Sequence, residues 1–415
     1  MKFDVAIIGG GLAGLTAGLS LQRRGLQTVI ISSGQNAMHF SSGAFELLSR
    51  TPDGMPVDSP LEDIPLLPED HPYSKIGLPR LTALIDEVPQ LFASAGIKLQ
   101  GHALRNSFRI TPTGTLKRAW LALEDVALLP TVETSIGRKV LLVNLAGYPD
   151  FFTSFIAEGL EARGSSVRIC SLKLPEMETL RNSPSEMRSV NIARVMDTAW
   201  KSVVDGVKLL LRGEDTVILP QVFGLKDESV LSMVRAGIPA NVLFVGTMPP
   251  SVPGIRAQMK QKAAYEKAGG TMLHGDTAVS AIFDGNRIVS IRTRNLGDHP
   301  VEAREFILAT GGFFSKGLSS TPSKVYETLF SLDVDYDPDR NNWYAQDFFT
   351  PQHYLDFGVK TDKSFRAIRD GEAIDNLRVV GSILGGSRAF RLGCGGGVAI
   401  LSALAVAEDL SNLSK

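Results

Sequence analysis

The chain has almost no cysteine: of its 415 residues only Cys170 and Cys394 carry a thiol. Iron–sulfur clusters and all-cysteine zinc sites need about four such ligands, so the sequence excludes both from this chain. A disulfide framework is excluded for the same reason, and this cysteine usage fits a reducing cytoplasm. We predict no metal site.

An excess of charge of one sign is also lacking, because 43 Lys and Arg balance 44 Asp and Glu. No basic field is available to attract nucleic acid. The longest apolar runs, such as Val140–Val143 and Val398–Ala407, fall short of the roughly 20 residues of a membrane span, and the N-terminus shows no apolar core of a signal peptide. No Ser/His/Asp order, HExxH or Walker motif supports a hydrolase or a kinase.

Glycine is the residue type in excess, with 40 positions. Many of these glycines lie near the two ends of the chain. At roughly 150 residues per domain, the length indicates two or three domains, or one large fold with insertions.

The first 31 residues have the pattern of a nucleotide-binding unit. Buried strands are predicted over Phe3–Ile8 and Thr28–Ile31, with a helix over Leu12–Arg24. The turn Gly9–Gly14 has the spacing Gly-x-Gly-x-x-Gly, which permits a tight turn, a close phosphate and helix–strand packing. The helix N-terminus offers free N–H groups to that anion. The predicted contacts are Gly9, Gly11, Leu12, Ala13 and Gly14.

One part of this pattern is missing. An Asp or Glu about 20 residues further on normally binds the ribose, but the second strand ends Ile30-Ile31-Ser32-Ser33-Gly34-Gln35. Ser32, Ser33 or Gln35 could hydrogen-bond a ribose more weakly. Alternatively no adenosine ribose is bound, which leaves the mononucleotide FMN open.

Two further glycine turns follow apolar strands late in the chain. Thr310-Gly311-Gly312 follows the strand Arg304–Ala309, and residues 381–397 contain seven glycines in 17 positions before a helix predicted from Val398 to Leu410. Such a bare backbone can approach a flat ring closely, and a helix N-terminus would stabilise negative charge on a reduced flavin. The three turns together predict one site assembled from distant segments.

The middle of the chain is organised differently. Six prolines within residues 51–72 argue against any helix or central strand there. Residues 139–224 predict a separate α/β lobe with three strands and the helix Phe151–Arg163. A helix over Arg256–Gly269 and a hairpin across Asp284-Gly285-Asn286 follow.

Eight stretches spread over nearly the whole chain are similar to one group of proteins. The layout resembles the two-dinucleotide-fold flavoproteins of the fumarate reductase and succinate dehydrogenase type, and within them the B subunits of bacterial anaerobic glycerol-3-phosphate dehydrogenases. The stretches at His39 and at Pro249 are unlike generic flavoproteins and carry the specificity. The eight stretches are Gly9–Gly14, His39–Gly43, His71–Ser74, Thr111–Leu116, Asn191–Arg194, Pro249–Arg256, Asp347–Phe349 and Gly393–Gly397.

The resemblance implies an α/β, Rossmann-like flavoprotein fold whose flavin domain is discontinuous in sequence. We predict that this domain comprises residues 1–50, 255–315 and 370–415. Cap or substrate regions would comprise residues 51–138 and 316–369, and the inserted α/β lobe residues 139–254.

The resemblance also implies an activity and partners. The activity is oxidation of glycerol 3-phosphate to dihydroxyacetone phosphate, with electrons passed through flavin to the quinone pool in fumarate or nitrate respiration. The implied partners are a larger flavoprotein, the A subunit, together with a membrane-bound iron–sulfur protein, the C subunit. These partners would hold a cytoplasmic chain at the inner membrane. The implied cofactor is FMN, with FAD as the alternative.

Two other functions remain open, a stand-alone flavin enzyme of the fumarate reductase type and a non-catalytic relay or assembly subunit. For the oxidation, His39 is a candidate base or ring donor, and Arg256 is a candidate cation for the phosphate. Arg391, with Arg388 nearby, lies in the glycine-rich loop and is a candidate to face the flavin or the substrate. The remaining predicted cofactor contacts are Ser41, Ser42, Gly43, Thr310, Gly311, Gly381, Ser382, Gly395, Gly396 and Gly397.

Overall fold

Two β-sheets, one mixed and one parallel, each with its own buried core, organise the structure, a computed structural model that describes residues 2–34 and 36–413. The strands are Lys2–Ile8 (β1), Thr28–Ser32 (β2), Ala44–Phe45 (β3), Leu99–Gly101 (β4), Ser107–Ile110 (β5), Leu116–Ala119 (β6), Leu121–Leu123 (β7), Leu128–Leu129 (β8), Lys139–Leu145 (β9), Ser166–Leu172 (β10), Thr216–Pro220 (β11), Asn241–Val245 (β12), Thr271–His274 (β13), Ala278–Asp284 (β14), Arg287–Thr293 (β15), Val301–Leu308 (β16), Leu318–Ser320 (β17), Val325–Glu327 (β18), Val334–Asp335 (β19), Gly358–Val359 (β20), Arg366–Arg369 (β21) and Glu372–Val379 (β22).

Helices cover both sheets. The α-helices are Leu12–Arg23 (α1), Pro60–Asp63 (α2), Pro72–Ile76 (α3), Leu78–Ser94 (α4), Thr153–Glu161 (α5), Glu178–Arg181 (α6), Ser189–Leu210 (α7), Ser229–Gly237 (α8), Val252–Lys267 (α9), Ala389–Leu392 (α10) and Gly395–Leu413 (α11). Short 3-10 helices are Ala37–Phe40, Ile64–Leu66, Pro175–Met177, Pro184–Glu186, Phe313–Ser315, Arg340–Asn342, His353–Asp356 and Gly381–Ile383.

The first sheet has eight strands, and its parallel part runs in the order β13-β2-β1-β16-β22. The antiparallel hairpin β14–β15 pairs with the start of β16, and β21 pairs with β22. The hairpin turn between Asp284 and Arg287 confirms the prediction from the sequence. All five residues of β2 are buried, as expected for a parallel strand covered on both faces.

Helices α1 and α11 pack against each other, α1 also contacts β1 and β2, and most residues of both helices are buried. Helix α11 is long and apolar enough to cross a membrane by length and composition alone, because residues on both sides of the apolar run Val398–Ala407 extend it to 19 residues. In the structure 67% of its most apolar window is buried inside the protein. That burial is typical of a core helix of a globular fold.

The second sheet is a four-stranded parallel sheet with the order β10-β9-β11-β12. Its buried cluster also includes Phe108, Ile110, Leu129 and Ile136, together with Val252 and Ile255. The long helix α7, which was not predicted from the sequence, buries one face against it. Small antiparallel sheets, β3-β7-β4 and β6-β5-β8, are formed by the part of the chain between β2 and β9. The domain boundaries given above stay a prediction.

Two expectations about local structure are wrong. The proline-rich stretch does contain a short helix, α2, because Pro60 occupies the first turn, where no N–H partner is needed. The last helix begins at Gly395 and not near Val398, so the glycines at 395–397 belong to its first turn.

Candidate flavin site

The predicted glycine turns meet at the carboxyl edge of the first sheet. Gly9 follows β1 and donates its N–H to Ile31 O at 2.9 Å, while Ala309 follows β16 and donates to Ile8 O at 2.8 Å. Val380 follows β22 and donates to Leu308 O at 3.0 Å. This edge of a parallel sheet is where nucleotides bind in open α/β folds.

Each glycine of the first turn has a different role. Gly9 has φ +117°, and a side chain there would overlap the Ala309 carbonyl group. A side chain on Gly14 would overlap the Gly9 carbonyl oxygen. At Gly11 an added Cβ would meet only Asn36 Cβ, at an ordinary contact distance of 3.9 Å, so no protein atom blocks the space beside the N-cap of α1. That space suits an anion at the helix N-terminus.

The end of β2 lacks a carboxylate in the described residues Ser32–Gly34 and Asn36. Ser32 is buried beneath Gly10, and Ser33 is exposed. Asn36 donates from Nδ2 to Gly10 O at 2.7 Å and so fixes the glycine turn. The predicted contact Gln35 lies outside the described residues.

Thr310 and Gly311 lie beside Ser382, because β16 and β22 are neighbours. Thr310 Oγ1 is buried without a hydrogen-bond partner, which leaves a polar atom free for a bound group. Gly381 has φ +81°, and a Cβ there would lie 2.9 Å from Ala13 Cβ on α1. The structure therefore brings these predicted contacts together with the first glycine turn.

The C-terminal glycines behave differently from the prediction. A Cβ on Gly396 would lie 3.0 Å from Phe45 Cα, and one on Gly397 would overlap Tyr73 Oη. Gly397 also donates its N–H to Glu46 O at 2.8 Å. Both glycines are therefore required for packing against protein, and the structure does not support them as cofactor contacts. Of the three, only Gly395 has room for a Cβ, which would meet Ala389 Cβ at an ordinary contact distance of 3.7 Å.

The two most distinctive stretches of the sequence contact each other. Ser251 donates its N–H to His39 O at 2.7 Å and, with its Oγ, caps α9 by accepting from Gly254 N at 3.2 Å. A Cβ on Gly254 would overlap Met38 O. Because of this contact, the segment Ser41–Gly43 lies at the start of α9. Gly43, which has φ +80°, packs there against Pro253.

Arg256 does not serve as a phosphate ligand in this structure, because its charge is already paired. The side chain is buried, with ion pairs to Asp125 at 2.5 Å and Glu228 at 2.9 Å. Its Nη1 donates to the carbonyl oxygens of Phe223 and Gly224. This arrangement corrects the prediction and makes Arg256 a structural residue.

Arg391 and Arg388 lie at α10, apart from Arg256. Arg391 is exposed and donates to Pro52 O at 3.1 Å, and Arg388 pairs with Asp70 at 3.1 Å. The structure therefore does not bring the three predicted catalytic side chains, His39, Arg256 and Arg391, into one cluster.

A cation that was not predicted from the sequence lies at a cavity beside Ser41 and Ser42. Arg109 on β5 is only 9% exposed. Its Nε has no hydrogen-bond partner, and none of the described carboxylates makes an ion pair with it. Burial lowers the pKa of Arg109, while the negative charge of Glu46 opposes that shift. In the sequence, only the neighbouring stretch Thr111–Leu116, one of the eight stretches that resemble the B subunits, pointed to this part of the chain.

His71 and Cys394 form a buried pair, with Nε2 and Sγ 3.7 Å apart. Burial lowers the pKa of His71 to about 4 and raises the pKa of the Cys394 thiol. Both groups are therefore neutral near pH 7, which fits a packing role for Cys394. Within the described residues no group of three or more His, Cys, Asp or Glu side chains could hold a metal ion.

Comparisons with known proteins identify the family. The family described as "FAD binding domain" matches residues 4–398. The chain is 39% identical to the B subunit of anaerobic glycerol-3-phosphate dehydrogenase from Yersinia enterocolitica, over 99% of this chain and 98% of that protein. This chain belongs to the family of anaerobic glycerol-3-phosphate dehydrogenase B subunits. A member from Pectobacterium carotovorum is also 39% identical, over 99% of each chain, and one from Glaesserella parasuis is 36% identical.

Solved structures resemble this member of the B-subunit family more distantly. The 3-ketosteroid Δ1-dehydrogenase of Sterolibacterium denitrificans is 12% identical over 100% of both chains, with a TM-score of 0.45. Sdh1 of Mycobacterium smegmatis is 10% identical over 100% of this chain and 69% of that chain, with a TM-score of 0.42. No functional conclusion follows from likenesses this distant.

The family membership makes a flavin the cofactor, and the residues present fit one. The open space at Gly11, the N-terminus of α1 and the unpartnered hydroxyl of Thr310 all lie at the same sheet edge. FMN as the first choice of cofactor, which the sequence resemblance implied, is not supported by a family described as FAD-binding.

Proposed function

We propose that this chain is the B subunit of a quinone-linked anaerobic glycerol-3-phosphate dehydrogenase, and that it oxidises glycerol 3-phosphate to dihydroxyacetone phosphate. The observation that carries the proposal is the 39% identity over nearly the full length to proteins of that name. The convergence of the glycine turns at one sheet edge supports a working flavin site and argues against a vestigial one.

Three parts of this chain would bind the flavin and assist the oxidation. The N–H groups at the start of α1 would hold the cofactor phosphates next to Gly11, and Thr310 Oγ1 would bond its polar edge. A bound flavin supplies the acceptor for the two electrons released when a secondary alcohol becomes a ketone. His39, half-buried beside the α9 cap, would take the proton of the substrate hydroxyl.

We propose FAD and not FMN as the cofactor. The complete Gly9–Gly14 turn with its open space at Gly11 is the arrangement that holds a pyrophosphate, which FMN lacks. The missing acidic residue after β2 weakens the ribose contact without removing the phosphate contacts. Denaturing the purified chain and separating the released flavin by chromatography tests this, and released FMN would overturn it.

The partners belong to the same proposal. Relatives that are named as the B subunit imply a complex. We propose that this complex contains a larger flavoprotein, the A subunit, together with a membrane-bound iron–sulfur protein, the C subunit. These partners would carry the electrons to the quinone pool and hold this chain at the cytoplasmic side of the inner membrane.

An anaerobic visible spectrum of the purified chain, before and after glycerol 3-phosphate is added, tests where the oxidation takes place. We expect the absorbance of oxidised flavin to disappear with this chain alone. If the flavin stays oxidised until the A subunit is added, the chain is an electron relay. If fumarate reoxidises a chemically reduced chain without any partner, the stand-alone fumarate-reductase function is correct instead.

A further inference from the structure

The cavity at Arg109 is built from three separate parts of the fold. Ser41 and Ser42 come from the segment after β2, and Arg109 comes from the small sheet β6-β5-β8. Gln221 and Thr247 follow β11 and β12, at the carboxyl ends of two parallel strands of the second sheet. Ligands of α/β sheets bind at such ends.

The positive charge in this cavity has no ion-pair partner within the described residues. Arg109 is only 9% exposed, its Nε is unpartnered, and Glu46 already pairs with Lys117 at 2.9 Å. A buried guanidinium without a carboxylate is costly unless a ligand supplies the negative charge. The N-terminus of α9, capped by Ser251, opens into the same cavity and adds the positive end of a 16-residue helix.

A second buried atom without a hydrogen-bond partner, Gln221 Oε1, indicates which other group the ligand carries. Gln221 is 1% exposed and donates from Nε2 to Asp125 Oδ2 at 2.9 Å. Because Asp125 is ion-paired with Arg256 and can only accept, the orientation of the Gln221 amide is fixed. Gln221 Oε1 is therefore left as a buried acceptor without a partner, and it needs a donor such as a hydroxyl group.

The size of the cavity limits what can fill it. Its volume is about 150 Å³, which suits a small molecule. A dinucleotide is too large. The exposed edge of the cavity is formed by Phe40 and Pro249, so a small molecule can enter from solvent.

We propose that this cavity is the substrate site for a small phosphorylated polyol, with Arg109 binding the phosphate and Gln221 Oε1 accepting a hydrogen bond from a hydroxyl. The guanidinium offers a planar fork of donors that matches two phosphate oxygens. This inference rests on the proposed function, since it locates the substrate of that reaction on this chain.

The variant Arg109→Met tests the proposal with the full chain carrying its flavin. Calorimetry would measure binding of glycerol 3-phosphate, and we expect the affinity to fall at least about tenfold. Since Met fills similar space without an unpaired charge, we expect the thermal midpoint of the ligand-free variant to equal or exceed that of wild type. The stabilisation that glycerol 3-phosphate gives to wild type should disappear.

Arg118→Gln is the matched control. Arg118 lies on the adjacent strand β6, pairs with exposed Asp58 at 2.9 Å and carries the same charge. We expect this variant to bind glycerol 3-phosphate as wild type does. Ethyl phosphate, which keeps the phosphate and lacks the hydroxyls, should bind wild type more weakly than glycerol 3-phosphate because Gln221 Oε1 stays unsatisfied.

The outcomes separate this site from the proposed function. If glycerol 3-phosphate reduces the flavin and binds Arg109→Met normally, the site is wrong and the function stands. If Arg109→Met loses its flavin, Arg109 holds the cofactor and the site is again wrong. If wild type binds succinate through Arg109 and not glycerol 3-phosphate, the polyol assignment fails and the proposed function with it.

Discussion

The carbonyl oxygen of Gly9 lies against the Cα of Gly14, at a distance that leaves no room for a side chain on Gly14. Gly11, in the same turn, has open space on the side where its side chain would be. The turn Gly9–Gly14 therefore contains one glycine that the fold requires and one whose missing side chain leaves space for a ligand. The two requirements can be separated by substitution.

Gly14→Ala and Gly11→Val should fail in different ways. Gly14→Ala should lower the free energy of unfolding by roughly 1–3 kcal/mol, because the new methyl group overlaps a backbone oxygen. Gly11→Val should unfold like wild type, since Gly11 has φ −81° and ψ −170°, which suit a β-branched residue, but should lose bound flavin. Urea unfolding and the ratio of flavin to protein absorbance measure both. Wild-type flavin content in Gly11→Val would contradict the site.

Replacing Arg256 should damage stability and not ligand recognition. Arg256→Gln leaves Asp125 buried without its cation, which we expect to cost about 3 kcal/mol of unfolding free energy. Glu228→Gln, which removes the more exposed partner, should cost less than about 1 kcal/mol. Chemical denaturation of both variants checks the difference. A stable Arg256→Gln variant that no longer binds glycerol 3-phosphate would make this residue a phosphate ligand after all.

The buried imidazole of His71 should make the protein sensitive to acid. Burial holds the folded-state pKa near 4, below the ordinary 6.5. Between these values the unfolded chain binds a proton that the folded chain does not, so stability falls as pH falls from about 6.5 to 4. From pH 7.5 to pH 5 this group should account for a loss of about 2 kcal/mol.

His71→Asn is the variant for that measurement. His71 Nδ1 accepts the N–H of Tyr73 at 3.1 Å as the cap of α3, and Asn can supply the same acceptor. Urea titrations at the two pH values should show that the variant loses about 2 kcal/mol less than wild type. Equal losses in both proteins would mean that the proton is taken up elsewhere.

Local patterns were sufficient for the nucleotide-binding edge. The units β1, α1 and β2, the hairpin at Asp284 and the apolar strand before Thr310 all follow from periodicity and turn residues within short windows. Parallel strands then place their following turns at one edge, so the meeting of Gly9, Ala309 and Val380 could be predicted without knowing any long-range contact.

The roles of the arginines depend on interaction partners that are distant in sequence. Arg256 pairs with a carboxylate 131 positions away, and no local pattern distinguishes it from Arg109, which has no partner in the described chain. Arg109 lies between Phe108 and Ile110 on a short strand, a pattern equally typical of an exposed arginine. Burial in the tertiary structure, and not residue type, separates a structural cation from one free for a ligand.

The glycine at position 397 provides the last prediction, because the sequence indicated a cofactor contact and the structure shows a packing contact. A methyl group there overlaps Tyr73 Oη, which itself donates to Leu47 O at 2.9 Å. Gly397→Ala should therefore destabilise the fold by roughly 1–3 kcal/mol. Tyr73→Phe removes the overlapping oxygen, so the double variant should be more stable than the sum of the two single losses by about 1 kcal/mol.

Unfolding free energies of the four proteins give this coupling, and flavin content per folded molecule gives the functional control. We expect Gly397→Ala to keep its flavin once folded, since its N–H already bonds Glu46 O at 2.8 Å and is not available to a cofactor. If the losses of unfolding free energy are additive and Gly397→Ala lacks flavin, Gly397 is a cofactor contact after all. Rescue by Tyr73→Phe with full flavin would show that the bare backbone at Gly397 serves helix packing and not cofactor binding.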